Sequence, residues 1–228
     1  MLNMDKWTAV WLCVIIALVY AILSGFWGVV VTDLVQFVIA MFGSITLAII
    51  ALNHIGGMET LLTKLSQLMG TGVVHENTLK FIPPVPDAGV STIEFWESPF
   101  SKFLIFISVM WWSHHGGGYI IQRMSSAKNE RHALLATLWY NLAHYALRVW
   151  PWVIVAVVSI VMFPIIPEAY ADLGTKAGYP LVMNSLLGPG QKGILIVSFL
   201  AAFMSTIDTH LNWGVSYLIN DLYKRFYK

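Results

Sequence analysis

Charged side chains are scarce in this chain. Only 11% of its 228 residues are Asp, Glu, Lys or Arg, whereas 57% are hydrophobic. Soluble domains carry about 25% charged residues, so this chain has too few charges to face water on all sides. The shortage excludes an ordinary soluble domain and indicates that lipid solvates much of the exterior. A mean hydropathy of +0.70 agrees with that interpretation.

Cysteine and basic runs are also nearly absent. Cys13 is the only cysteine, which excludes an intramolecular disulfide, and its apolar surroundings predict a small buried residue. No spacing of Cys and His is typical of a zinc site. The net charge of +1, without a long basic run, gives no reason to expect a nucleic-acid partner.

Long hydrophobic runs are what the chain has in abundance. A helix needs about 20 apolar residues to cross a bilayer. The sequence predicts an all-α integral membrane protein, a single transmembrane domain over residues 1–228 with about five spanning helices. The predicted spans are 7–23, 29–52, 100–121, 134–163 and 194–220. Ser24, Gly25 and Gly28 predict a tight turn between the first two, and Gly56–Gly57 ends the second.

The longer connections are polar, and they set the predicted orientation. Residues 54–99 and 164–193 are the predicted extracellular loops, and ETLLTKLSQLMG in the first predicts an amphipathic helix on the membrane surface. Lys and Arg cluster after the third span and in the tail YKRFYK. Cytoplasmic loops carry such excess basic charge. We therefore expect a multi-pass protein of the plasma or inner membrane, with the N-terminus outside and the C-terminus cytoplasmic.

Small polar residues interrupt the fifth span. Ser205, Thr206, Asp208 and Thr209 fall within an otherwise apolar helix, and Ala202 lies one turn before Thr206. Hydroxyl and carbonyl oxygens are hard ligands that suit a hard cation. A carboxylate is costly against lipid, so Asp208 is expected to face protein, water or an ion. The alternative is that these small polar residues mediate helix packing.

Three consecutive glycines interrupt the third span. Gly116, Gly117 and Gly118 follow a polar and aromatic group made of Trp112, Ser113, His114 and His115. Unwound helices near the midplane expose backbone groups that bind a solute. The alternative is glycine for close helix contact. HHGGG also resembles a lipase oxyanion loop, but the chain has no G-x-S-x-G elbow.

Two further positions carry charge inside predicted spans. His144 and Arg148 are four residues apart and share a helix face, which points to an anionic partner for Arg148 or to an anchor near the interface. Asp33 lies near the start of the second span, either on an inward route for a cation or as a helix cap together with Thr32.

Three segments resemble the sodium:solute symporter family over nearly the whole chain. They are GFWGVVVTDLVQF, GGGYIIQR and AAFMSTIDTHLNWGVSYLINDLY. The resemblance implies the LeuT fold, two inverted repeats of five helices, with these spans as core helices four to eight. It also implies that the chain is a truncated fragment, whose partners include the missing helices of the same full-length transporter.

The resemblance implies roles for the residues singled out above. Ala202, Ser205 and Thr206 look like the eighth-helix half of a sodium site, and Asp33 looks like the fifth-helix aspartate linked to sodium passage. Asp208 departs from the family pattern, since some relatives have a small residue there, and with Asp33 and Thr209 it is a candidate for the cation pathway. The implied substrate-binding residues are Trp112, Ser113, His114, His115, His144 and Arg148. Met110, Ser113 and His144 depart from the residues of sugar-transporting members. A small polar or anionic organic solute is expected instead.

The sequence thus predicts part of a sodium-coupled symporter that works by alternating access. Na⁺ is the expected coupling ion, with no cofactor, no metal beyond sodium and no enzymatic activity. The expected partners are the solute, Na⁺ and the lipid bilayer. One alternative is a metal-dependent membrane enzyme that uses His114, His115, His144 and Asp208, and another is a structural membrane subunit.

Overall fold

The computed structural model describes residues 5–110 and 118–227. These residues form helices joined by loops, and no strand occurs among them. Three helical stretches are long and apolar enough to cross a membrane, namely Gly25–Ile55, Glu130–Met162 and Pro189–Phe226. Trp7–Leu23 and Pro99–Val109 are shorter apolar helices. The expected all-α membrane class is confirmed. The count of five spans stays a prediction.

The first helix, α1, covers Lys6–Ile55 and contains one break. It begins at Asp5, whose carboxylate accepts hydrogen bonds from the backbone amides of Trp7 and Thr8. The break is at Gly25, where φ is 59° and ψ is −163°, a region that essentially only glycine occupies. The predicted turn through Gly28 is wrong in extent, because the helix resumes directly after Gly25. Cys13 within α1 is buried, as predicted.

The remaining helices are mostly shorter, and several continue into π-helical turns. In chain order they are α2 (Met58–Gly70), α3 (Thr92–Glu97), α4 (Pro99–Ile105), α5 (Gly118–Ser125), α6 (Glu130–Asn141), α7 (Val149–Met162), α8 (Gly178–Leu186), α9 (Pro189–Tyr217) and α10 (Lys224–Phe226). The π-helical turns are Phe106–Met110, Leu142–Leu147 and Leu218–Tyr223, and Glu168–Ala177 is a 3₁₀ segment. The π-helical turn Leu142–Leu147 joins α6 to α7.

The helices α1 and α9 pack side by side in opposite directions. Gly43 approaches Leu195, and the Ser198 hydroxyl donates to the carbonyl of Ile39 at 3.4 Å. Further along, Ser205 contacts Asp33. Residue numbers rise along α1 as they fall along α9, so the pair is antiparallel. Because a Cβ on Gly43 would lie 3.3 Å from Leu195 Cδ2, glycine is what permits this close approach.

The apolar core lies toward the C-terminal end of α1. It joins α1, α2, α7, α8 and the first half of α9. Its members are Leu47, Ala48, Ala51, Ile55, Leu61, Val155, Val158, Val182, Met183, Leu187 and Leu195. The helix predicted over ETLLTKLSQLMG is confirmed as α2, and its Leu61 and Leu65 are fully buried. The core therefore packs the C-terminal part of α1 against the first half of α9. The polar residues of α1 and α9 lie outside this core.

Candidate cation and solute site

A polar cluster joins three helices near the middle of α1, before the part of α1 that enters the core. Asp33 of α1 accepts a hydrogen bond from Ser205 Oγ of α9 at 2.5 Å. Its other carboxylate oxygen lies 3.1 Å from Nη2 of Arg123 on α5. The same Nη2 donates to Thr209 Oγ1 at 3.0 Å. A carboxylate, a guanidinium and two hydroxyls thus meet between α1, α5 and α9.

The capping alternative for Asp33 is wrong. Asp33 lies inside α1, well beyond the helix start at Lys6, and the helix is capped by Asp5. The Thr32 hydroxyl donates to the carbonyls of Gly28 and Val29, as a threonine does within a helix. The Asp33 carboxylate is instead directed toward α9 and α5, with its side chain 23% exposed.

Arg123 is the member of this cluster that sequence reasoning missed. In the sequence it served only to orient the chain, as one basic residue of a polar connection. The structure places it on α5, five residues after Gly118, with its side chain 32% exposed. The motif GGGYIIQR was a usable signal, because an Arg one or two turns after a break is close enough to a span to meet a charged partner.

The three predicted sodium ligands are divided between two faces of α9. Ser205 is partly buried and points to Asp33, whereas Ala202 and Thr206 are exposed. Thr206 Oγ1 donates to the Ala202 carbonyl oxygen at 3.0 Å. Those two oxygens are therefore close enough to contact one cation together. Both residues are exposed, on a different face of α9 from the one on which Ser205 contacts Asp33.

Asp208 is fully buried, with no exposed surface. The amide of Asn212 lies 3.4 Å from its Oδ1 and donates to its backbone carbonyl at 3.1 Å. The expectation that Asp208 avoids lipid is confirmed by this burial. The structure does not join Asp208 directly to Asp33, although Thr209, the next residue, contacts Arg123.

A second polar group lies where α6 passes into α7. His144 falls in the π-helical turn, and its ring stacks on Tyr140 with centroids 5.4 Å apart. Arg148 Nη1 lies 3.4 Å from His144 Nδ1, and the Arg148 guanidinium lies 4.8 Å from the centroid of the Trp152 ring. The predicted pairing of His144 with Arg148 on one face is therefore confirmed.

The remaining predicted solute residues are not among those that the structure describes. Trp112, Ser113, His114 and His115 lie in the segment 111–117, outside the described residues. Within 5–110 and 118–227, no group of three or more His, Cys, Asp and Glu side chains is placed to hold a metal ion.

Comparison with known proteins identifies the family. The model of the family described as "Sodium:solute symporter family" matches residues 1–228. This chain belongs to the sodium:solute symporter family. Similar proteins include sodium/glucose cotransporter 1 of Ovis aries, 27% identical over all of this chain and 37% of that protein. Solute carrier family 5 member 4 of Rattus norvegicus is 26% identical over all of this chain and 36% of that protein.

The similarity extends to a third named protein of this kind. The sodium/mannose cotransporter of Bos taurus is 25% identical over 92% of this chain and 37% of that protein. The chain of this symporter family member thus spans about 37% of the length of the curated relatives it matches. No solved structure matches the chain. The family of the chain is thereby established.

Proposed function

We propose that this chain works in a sodium-coupled symporter that moves a small polar or anionic organic solute across the cell membrane by alternating access. The contact between Ser205 and Asp33 carries the proposal. It brings a hydroxyl that the family resemblance assigns to sodium against a carboxylate that the resemblance assigns to the sodium pathway. Relatives named as sodium/glucose and sodium/mannose cotransporters support the coupling ion.

The geometry of α9 suits the proposed ion. A hydroxyl has one donor and two acceptor lone pairs, so Ser205 can donate to Asp33 and still offer oxygen to Na⁺. Thr206 Oγ1 and the Ala202 carbonyl supply two further oxygens on the neighbouring face. In the proposed cycle, sodium held there favours the outward-open state. It then leaves inward past Asp33, Thr209 and Asp208.

The solute in this proposal is not a sugar. Met110, Ser113 and His144 differ from the residues of sugar-transporting members, although the named relatives act on glucose or mannose. His144 and Arg148 instead offer an imidazole ring and a fixed positive charge. Hydrogen-bonding and charged groups of this kind select a polar or anionic organic molecule.

Sodium-specific stabilisation of the purified chain tests the proposal. An ion that binds only the folded state raises the melting temperature with its concentration. We expect NaCl to raise the Tm above that in KCl of equal ionic strength. In Ser205→Ala with Thr206→Ala, the sodium concentration for half the effect should rise by about tenfold or more, since each 1.4 kcal/mol is worth tenfold in affinity.

The matched control removes hydroxyls elsewhere. Thr63 and Ser66 of α2 bond only to their own helix backbone in the structure. Thr63→Ala with Ser66→Ala should leave the sodium response unchanged. Equal Tm values in NaCl and KCl for the unaltered chain, or a full sodium response in the α9 double variant, would contradict the proposal.

A further inference from the structure

Arg148 lies inside a helical stretch that is long and apolar enough to span a membrane. The stretch Glu130–Met162 is 33 residues long. At 1.5 Å per residue, Arg148 is roughly 20 Å from Met162 and roughly 27 Å from Glu130 along the axis. The hydrocarbon core is about 30 Å thick. With Met162 at one edge of that core, Arg148 lies within it, roughly 20 Å from that edge along the helix axis. A cation at such depth is costly and marks a functional site.

The described part of the chain gives Arg148 no carboxylate. Within the described residues, 5–110 and 118–227, the one ion pair joins Arg123 to Asp33. The Arg148 guanidinium has a 3.4 Å contact with His144 Nδ1 and lies over the Trp152 ring. A guanidinium carries five N–H donors. These two contacts leave most of those donors without an acceptor among the described residues, and the positive charge without an anion.

The ring beneath Arg148 is fixed from a neighbouring helix. Trp152 Nε1 donates to Ser44 Oγ at 3.1 Å, and Ser44 of α1 is buried, 4% exposed. Cation–π contact holds the guanidinium over the face of the indole. Its position is therefore set by α1 as well as by its own helix. The guanidinium is therefore positioned before any anion binds, because its contact with the Trp152 ring does not depend on one.

His144 adds a second polar group from the π-helical turn. Because its Nδ1 faces the Arg148 guanidinium, this nitrogen accepts, and the ring proton is placed on Nε2. The ring is held between Tyr140, stacked at 5.4 Å, and Tyr145, edge-on at 4.8 Å. π-helical turns inside α-helices occur frequently at functional sites, and this one directs His144 toward Arg148.

We propose that Arg148 binds the carboxylate of the transported solute, with Trp152 and Ser44 as positioning residues and His144 as a second donor. The fork of a guanidinium matches a carboxylate through two parallel hydrogen bonds. The inference rests on the proposed function, which it narrows from polar or anionic solutes to organic carboxylates. A lipid phosphate offers the same negative oxygens, so the experiment separates the two sources.

The test measures carboxylate binding to the purified full chain in phosphatidylcholine nanodiscs. The probes are acetate, lactate and benzoate, each compared with its uncharged amide by ligand-observed NMR in potassium buffer. We expect at least one carboxylate to bind and its amide not to. Charge-assisted hydrogen bonds contribute roughly 1.5–3 kcal/mol. Arg148→Gln should therefore weaken binding about tenfold or more, and Arg148→Lys less.

Matched variants keep the test decisive. Arg131→Gln removes an exposed guanidinium and should change nothing. Trp152→Phe keeps a ring and removes the N–H, and Ser44→Ala removes its acceptor. Both should weaken carboxylate binding, and the double variant should be no worse than either single one, because both break the same contact. Additive losses would overturn the positioning roles, and folding is verified by helicity and elution volume.

Two results would overturn the inference as a whole. One is that no carboxylate binds, or that binding is unchanged in Arg148→Gln. The other is Arg148-dependent retention of phosphatidylglycerol in native mass spectrometry without any carboxylate effect, which would assign the site to lipid. A sodium-specific Tm rise that persists under these results leaves the proposed function intact. Loss of that rise alone counts against the proposed function and not against the carboxylate site.

Discussion

Asp33 and Ser205 lie 172 residues apart in the chain, yet the Ser205 hydroxyl donates to Asp33 Oδ1 at 2.5 Å. This contact connects the α1 carboxylate to the part of α9 that carries the proposed sodium ligands. Arg123 completes it from α5 by contacting Asp33 and Thr209 together. Any cation that approaches Asp33 therefore meets a carboxylate that already has a positive partner.

The first prediction concerns this competition for the Asp33 carboxylate. Arg123→Gln removes the resident positive charge, so Na⁺ should bind more tightly, whereas Asp33→Asn removes the attraction and should weaken Na⁺ binding. We expect half-saturating sodium to fall severalfold in the first variant and to rise about tenfold in the second, a change of about 1.4 kcal/mol. Sodium-dependent Tm measurements report both values.

Lys128→Gln is the control for Arg123. Lys128 is exposed in the connection after α5 and has no bond to α1 or α9 in the structure. Its replacement should leave the sodium response unaltered. If Arg123→Gln and Asp33→Asn shifted the sodium requirement in the same direction, Arg123 would be a support for the site and not a competitor of the cation.

The second prediction concerns the buried carboxylate of Asp208. Asp208→Ala removes a fully buried side chain and the Oδ1 partner of Asn212, so we expect a loss of about 2 kcal/mol in stability. Asp221→Ala, at an exposed position of the π-helical turn that follows α9, should change stability by less than about 0.5 kcal/mol. Thermal denaturation in KCl compares them. Equal small losses would show that Asp208 is not held as the structure describes.

Local pattern was sufficient for some helices and insufficient for the contacts between helices. It missed α8 and the start of α9, which lie within the predicted loop 164–193. Breaker residues and leucine spacing gave the end of α1 and the whole of α2, because helix ends and amphipathic faces are encoded within a few residues. The position of Asp33 was ambiguous, since a short window does not reveal that α1 continues through Gly25 with only one residue interrupted. Its pairing with Arg123, 90 residues away, has no local signature.

The third prediction concerns the close contact between α8 and α7. A Cβ on Gly178 would lie 2.5 Å from Ser159 Oγ, and that hydroxyl is already bonded to the Ala156 carbonyl. Gly178→Ala therefore forces the two helices apart, at a cost of about 1–3 kcal/mol. Gly193→Ala places a methyl in open space within α9 and should be neutral or stabilising. The melting temperatures of both variants measure this difference. An unchanged melting temperature in Gly178→Ala would contradict the close contact between α7 and α8.

The fourth prediction concerns a carboxylate outside the spans. Glu94 accepts from the backbone amide and the hydroxyl of Ser91, and these bonds hold the pKa of Glu94 below its ordinary value of 4.5. A lowered pKa in the folded state stabilises α3 above the unfolded pKa, and this contribution is lost as the pH falls through the folded pKa. Carboxyl NMR titration should show the lowered pKa of Glu94. Ser91→Ala should raise that pKa only part of the way, because it removes the hydroxyl and keeps the backbone amide. An unchanged titration in Ser91→Ala would contradict the capping box.

The placement of the core gives α1 and α9 two unequal ends. In the described residues, the core cluster includes no part of α1 before Leu47, and from α9 it takes only Leu195. Around Asp33 the two helices are joined by side-chain hydrogen bonds with Ser205 and, through Arg123, with Thr209. Hydrogen bonds to charged groups exchange readily with water or an ion, whereas a packed apolar contact does not. If the contacts around Asp33 opened while the apolar contacts near Leu47 held, the angle between α1 and α9 would change.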